Sequence, residues 1–270
     1  MRELITTDLC RIVKDKLFLV SCILGGVFAL FTPLLYELLV LAIAPDIEMM
    51  GLLVDAKTIF FSSFLPGSNF GLTLPILLSV VICKDFRYGT VRNKIIAGKT
   101  RTAIFLSLFL STTVVTCGVI LGHALLSLLV SLLFFPYAAE PFTMTSFLYL
   151  LVSVLLSLLI YVFISALVSF LSAVLKSAGL TVVLYVAANF LFSIVGTVAA
   201  VAEIFIEPTN KTASKLLEIL GKANLFTTTH IGMGTAYTAT DVLCVLLPAL
   251  LGTAACLFLG LYLFKKRDLK

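Results

Sequence analysis

Tryptophan is absent from the 270 residues, histidine occurs twice, and only 12% of the residues are charged. So little charge excludes an ordinary soluble domain, in which about a quarter of residues are charged. With only His123 and His230, a multi-histidine metal site is not available. No H-E-x-x-H, intramembrane carboxylate pair or G-x-S-x-G elbow supports hydrolysis inside a membrane. The six cysteines show no C-x-x-C spacing, which argues against a zinc site or a disulfide framework. Without tryptophan, anchoring at a bilayer surface falls to tyrosines such as Tyr36, Tyr137, Tyr149 and Tyr262. The polar first sixteen residues do not read as a signal peptide.

What is present is apolar: 61% of residues are hydrophobic and the mean hydropathy is +1.18. This composition predicts an all-α polytopic membrane protein. Runs long enough to cross a bilayer, about 20 residues each, lie at about 17–41, 64–83, 103–135, 147–175, 178–202 and 242–264. If both termini are cytoplasmic, fifteen of the nineteen Lys and Arg residues fall on the inner side. The other four are Lys57, Lys211, Lys215 and Lys222, and cytoplasmic loops carry such an excess. The net charge of +5 is therefore read as topology, with no nucleic-acid motif beside it. One transmembrane domain is expected over 1–270. Long connections at 44–63 and 203–241 lie outside, and a short apolar-faced helix is expected around Leu216, Leu217, Leu220 and Leu225.

Residues 1–16 place Leu4, Ile5, Leu9, Ile12 and Val13 at helical spacing, which predicts an amphipathic helix on the inner membrane surface. The basic connection 84–102 contains "GTVRNKIIAGKTR". Its Gly-Lys-Thr imitates the end of a phosphate-binding loop, but the first glycine of that pattern is replaced by Asn93. Thr90 is suited to cap a helix and Gly98 to end one, so a two-turn helix is expected between them. Physical chemistry alone leaves two uses open: a rigid docking knob, or topogenic charge held near anionic lipid.

"KDFRYGTVRNKIIAGKTR" resembles the signature loop of type-2 ABC exporter permeases, with Asp85 standing where that family usually has Glu. Gly89, Thr90, Asn93, Gly98, Thr100 and Arg101 fall in the matching places, and "LFKKRDLK" is similar to the family's closing segment. The resemblance implies a catalytically silent subunit in a plasma membrane of bacterial type. It also implies a second permease chain, identical or related, and a separate ABC ATPase that supplies ATP and Mg. Residues Asp85, Gly89, Thr90, Arg92, Asn93, Lys94, Gly98 and Arg101 would couple to that ATPase. The first, second and fifth spans would face the second permease, and an amphipathic or hydrophobic cargo, such as an antimicrobial peptide or drug, would pass between the two.

Polar groups inside the spans require a partner or a task. Glu37, His123 and Asn189 either line a substrate path or hydrogen-bond neighbouring helices. Gly118-x-x-x-Gly122 and the serines at 153, 157, 165 and 169 read first as packing features. An ion-coupled carrier fits less well because intramembrane charge is nearly absent. A membrane scaffold or receptor without transport remains the other reading.

Overall fold

The computed structural model describes residues 1–50, 55–137, 142–206, 211–227 and 237–266. The described residues contain no strand, and their helices are α1 (Arg2–Lys14), α2 (Lys16–Met50), α3 (Ala56–Ser62), α4 (Asn69–Arg87), α5 (Thr90–Ile96), α6 (Arg101–Ser131), α7 (Met144–Leu175), α8 (Ala178–Ile206), α9 (Lys211–Ala223) and α10 (Ala239–Lys266). Six of them, α2, α4, α6, α7, α8 and α10, are long and apolar enough to cross a membrane. The chain is an all-α polytopic membrane protein. Each expected span coincides with one of these six helices, and α6 and α7, with 31 and 32 residues, exceed the roughly 20 that hydrocarbon requires.

α4, α6 and α7 form the interior. On α4, Phe70, Leu74, Leu78 and Ile82 recur at fourfold spacing and are buried. They join Ile120 and Ala124 of α6 and Leu156, Ile160 and Ile164 of α7 in one cluster. α2, α8 and α10 lie at the periphery and keep long apolar faces exposed. A soluble protein would not present these faces; a bilayer covers them.

Small polar residues let the interior helices approach one another. Ser111, Thr112 and Thr116 of α6 and Ser153, Ser157 and Ser165 of α7 donate to carbonyls one turn earlier, which satisfies hydroxyls that are buried. Ser153, Ser157 and Ser165 are thus packing residues, as their spacing predicts, while Ser169 is buried beside them with no hydrogen-bond partner for its hydroxyl among the described residues. Gly118 and Gly122 behave differently: both are exposed, and a Cβ at either would meet nothing within 4 Å. The close helix contact expected there is not made within this chain.

Several expectations of detail change. α3 was not expected. It starts where Asp55 caps Thr58 N at 2.7 Å, and its Ile59, Phe60 and Phe61 are buried. It occupies part of the 44–63 connection, so the second span begins at Asn69 rather than near Phe64. α9 lies in the 203–241 segment as expected, with Leu216 and Leu220 exposed, but Leu225 falls beyond its end and is buried. Tyr149 is buried and stacked on Tyr237 rather than exposed as an anchor. His230 and the basic residues Arg267 and Lys270 lie outside the described residues.

Candidate functional site

Lys and Arg residues crowd one end of the bundle, where α1, the α4–α5–α6 connection and the end of α10 meet. Gly89 opens α5 with φ +71°, a left-handed value that a side chain would strain. Gly89 rather than Thr90 is therefore the N-cap, and Thr90 is the first helical residue. Thr100 does the capping one helix later, accepting from Ala103 N at 3.3 Å. Gly98, at φ +79°, ends α5 as expected. Its N–H donates to Ile95 O at 2.9 Å and the next N–H to Lys94 O at 3.1 Å, so two orphan carbonyls are satisfied.

α5 is anchored on one side only. Val91 is buried with Ile104, Phe105, Ala173 and Phe264, and Ile95 packs against the same group. This cluster joins α5 to α6, α7 and α10. Arg101 adds a further tie, donating to Lys265 O at 2.9 Å. The opposite side is bare: Tyr88 is 71% and Ile96 74% exposed, with Arg92 and Asn93 exposed between them.

The basic loop is also clasped by α1. Four ion pairs run antiparallel between the two: Glu3–Lys99 at 3.6 Å, Asp8–Lys94, Arg11–Asp85, and Asp15–Lys84 at 2.8 Å. The middle two are buried. Asp8 has no exposure and also accepts from Ser107 Oγ of α6 at 2.7 Å, while Asp85 is 1% exposed. Arg11 lies 3.8 Å from Asp8 as well, so two carboxylates and two cations form a cluster of zero net charge. Burial pulls the Arg11 guanidinium down from its ordinary value, against the opposing pull of Asp8 and Asp15; an arginine nonetheless remains charged.

Asp15 separates α1 from α2. It accepts from Leu17 N at 2.9 Å and binds Lys84 through both oxygens. Burial pushes its carboxyl up, but the Lys84 ammonium and the Leu17 amide outweigh this and hold it below the ordinary carboxylate value. A carboxylate so depressed contributes stability that is present above its unfolded value and lost as pH falls through the folded one. At neutral pH the Asp15 carboxylate is charged and its pair with Lys84 is closed.

The structure thus divides the expected coupling residues. Arg92 and Asn93 face outward, Gly89, Thr90 and Gly98 shape α5, Asp85 and Lys94 are held inside the chain, and Arg101 braces α10. Sequence reasoning missed Asp8, Arg11, Asp15 and Ser107 as partners of this loop. One signal was present: Asp8 interrupts the stripe Leu4–Asp8–Ile12, and a carboxylate between two buried apolar positions asks for a cation. Accordingly, Leu4 and Ile12 are buried in protein, where the sequence pattern suggested lipid.

The other candidates are apart from this end. His123 Nδ1 contacts Gly25 O at 2.8 Å and its ring packs on Phe70 at 4.5 Å. Asn189 Nδ2 donates to Pro66 O at 3.2 Å. Both therefore bridge elements of the bundle. Glu37 is half-buried in the later part of α2.

A family described as a protein of unknown function, DUF2705, matches residues 53–270, well over half of the sequence. The chain belongs to the DUF2705 family. No curated protein gives a significant match. The matched residues of this DUF2705 protein include the basic loop and all of its α5 knob. They leave out α1 and all of α2, and with them the carboxylates Asp8 and Asp15.

Proposed function

We propose that this chain is the permease subunit of an ATP-driven exporter, with ATP and Mg bound by a separate ABC ATPase. The observation that carries the reading is α5, a capped helix fixed beneath by Val91 and Ile95 while Tyr88, Arg92, Asn93 and Ile96 stay bare. A solvated topogenic loop has no need of a rigid apolar tip. A partner groove does, because central aromatic, aliphatic and arginine anchors carry most interface energy. The resemblance to type-2 exporter permeases names that partner as an ATPase. A second permease chain would complete the path, and the exposed apolar faces of α2 and α8 are free to meet it or lipid. The cargo on this reading is amphipathic or hydrophobic, an antimicrobial peptide or drug among the options. The chain itself carries no catalysis.

The test is recovery of the tagged chain from native membranes in mild detergent, beside an Arg92→Glu/Ile96→Asp variant. Those two side chains point away from the packing under α5, so the variant folds. An ATPase is expected with the parent and reduced by at least about tenfold with the variant. Absence of any ATPase from the parent, or equal recovery with both, removes the exporter reading.

We also infer that the basic end is cytoplasmic in a plasma membrane, from the excess of Lys and Arg there. Introduced into a chain whose six cysteines are alanine, Lys215→Cys should react with an impermeant maleimide on intact cells. Asn93→Cys should react only after permeabilisation. The reverse pattern would invert the topology.

A further inference from the structure

At the end of the bundle away from the basic loop, α8, α9 and the turn before α4 line an open cavity of about 740 Å³. Pockets of this size, with apolar walls and a few placed polar groups, are the usual form of a small-molecule site. Along α8 the facing residues are small: Ser193, Gly196, Thr197 and Ala200 leave the space open. Phe226, stacked on Phe192 at 5.3 Å, supplies an aromatic wall.

The charges on the rim are unequal in their freedom. Lys222 is the only cation lining the cavity among the described residues, and it is already committed to Glu218 at 2.6 Å and to Asp241 at 2.8 Å. Hydrogen bonds that it donates to these two carboxylates, Asp241 above all, raise its ammonium well above the ordinary value, so it stays charged and held. Glu203 lines the same cavity and pairs with no cation among the described residues. An anion entering here would have to break the Lys222 pairs. A cation meets the Glu203 carboxylate without breaking an ion pair among the described residues, in a cavity that Phe226 also lines.

We propose that this cavity binds small hydrophobic cations, with Glu203 as the counter-charge and Phe226, Ala200 and Val201 as the apolar wall. The site belongs to a single chain and stands whether or not the exporter reading does, because binding requires neither ATPase nor transport.

The test uses tetraphenylphosphonium, with tetraphenylborate as a control of matching size and opposite charge. Binding is measured by equilibrium dialysis against the full chain in phosphatidylcholine nanodiscs, with lipid partition subtracted using empty discs. Saturable binding of the cation and none of the anion is expected. Gly221 lines the cavity from α9, and a Cβ there meets nothing within 4 Å, so the side chain of Gly221→Leu starts in open space and takes up cavity volume. Gly221→Leu and Glu203→Gln should each weaken binding about tenfold or more, and Glu203→Asp should weaken it less. Unchanged thermal stability of the variants shows that they are folded. Cation uptake no greater than in empty discs, equal saturable binding of the anion, or binding unchanged in both variants would overturn the proposal.

Discussion

Asp8→Ala should lower stability more than any other single change at the basic end. The carboxylate is wholly buried, and without it Lys94 loses its counter-charge, Ser107 loses its acceptor, and Arg11 is left with Asp85 and the pull of Asp15. Breaking a buried pair by removing one partner costs about 3–5 kcal/mol. The Lys94 and Arg11 side chains retain 12% and 29% exposure, so water softens the loss and the lower end of that range is expected. Asp8→Asn keeps an acceptor for Ser107 but not the charge, and should fall between parent and alanine. The double variant Asp8→Ala/Lys94→Ala removes the stranded cation, so its loss should be smaller than the sum of the two single losses. Thermal melting of the solubilised chain reads the energies, and limited trypsin digestion at Arg11 and Lys14 reports whether α1 has come away. A melting point and digestion pattern unchanged by Asp8→Ala would mean that α1 is not held by this cluster.

The second large effect is expected at the opposite end, at Gly71 in the first turn of α4. A Cβ built there overlaps the Leu65 carbonyl oxygen and comes within 2.7 Å of the Tyr161 hydroxyl and 2.9 Å of Ser68 Oγ. None of the three has room to retreat. Leu65 O is backbone, Ser68 caps α4 through Gly71 N at 3.2 Å, and Tyr161 is completely buried on α7. Overpacking of a fixed interior costs about 1–3 kcal/mol and occasionally more, and Gly71→Ala belongs at the top of that range. Gly118→Ala provides the contrast, since its Cβ enters open space. In a helix that change is neutral or stabilises by about 0.4–1 kcal/mol through the unfolded chain. Equal melting points for the two variants would show that the turn before α4 yields more readily than its packing implies.

The parts of this fold that were legible in the sequence are those governed by the solvent. Twenty apolar residues cannot stay in water, so the six spans follow from hydropathy alone. Gly98 was legible because a helix ending within one turn of more chain needs a left-handed residue. Thr90 was misread as a cap because Gly89, with no side chain to offer, holds that place through φ rather than through a hydrogen bond. α3 was hidden because seven residues show too little periodicity to separate a helix from a loop. The pairs between α1 and the basic loop were hidden for another reason: charge spacing within one helix says nothing about a partner almost ninety residues away. The cavity beside α8 depends on three separate segments, and its openness comes from small residues that resemble ordinary packing positions.

The separation of those pairs also has a consequence in time. Lys94 and Ser107 follow Asp8 by 86 and 99 residues. At a synthesis rate of about 5–20 residues per second, Asp8 waits on the order of ten seconds for its partners to emerge. During that interval α1 has Leu4, Ile5, Leu9 and Ile12 on one side and no protein to cover them, so the membrane surface is its natural shelter. Docking of α1 through Asp8 therefore has to wait until the basic loop has been made.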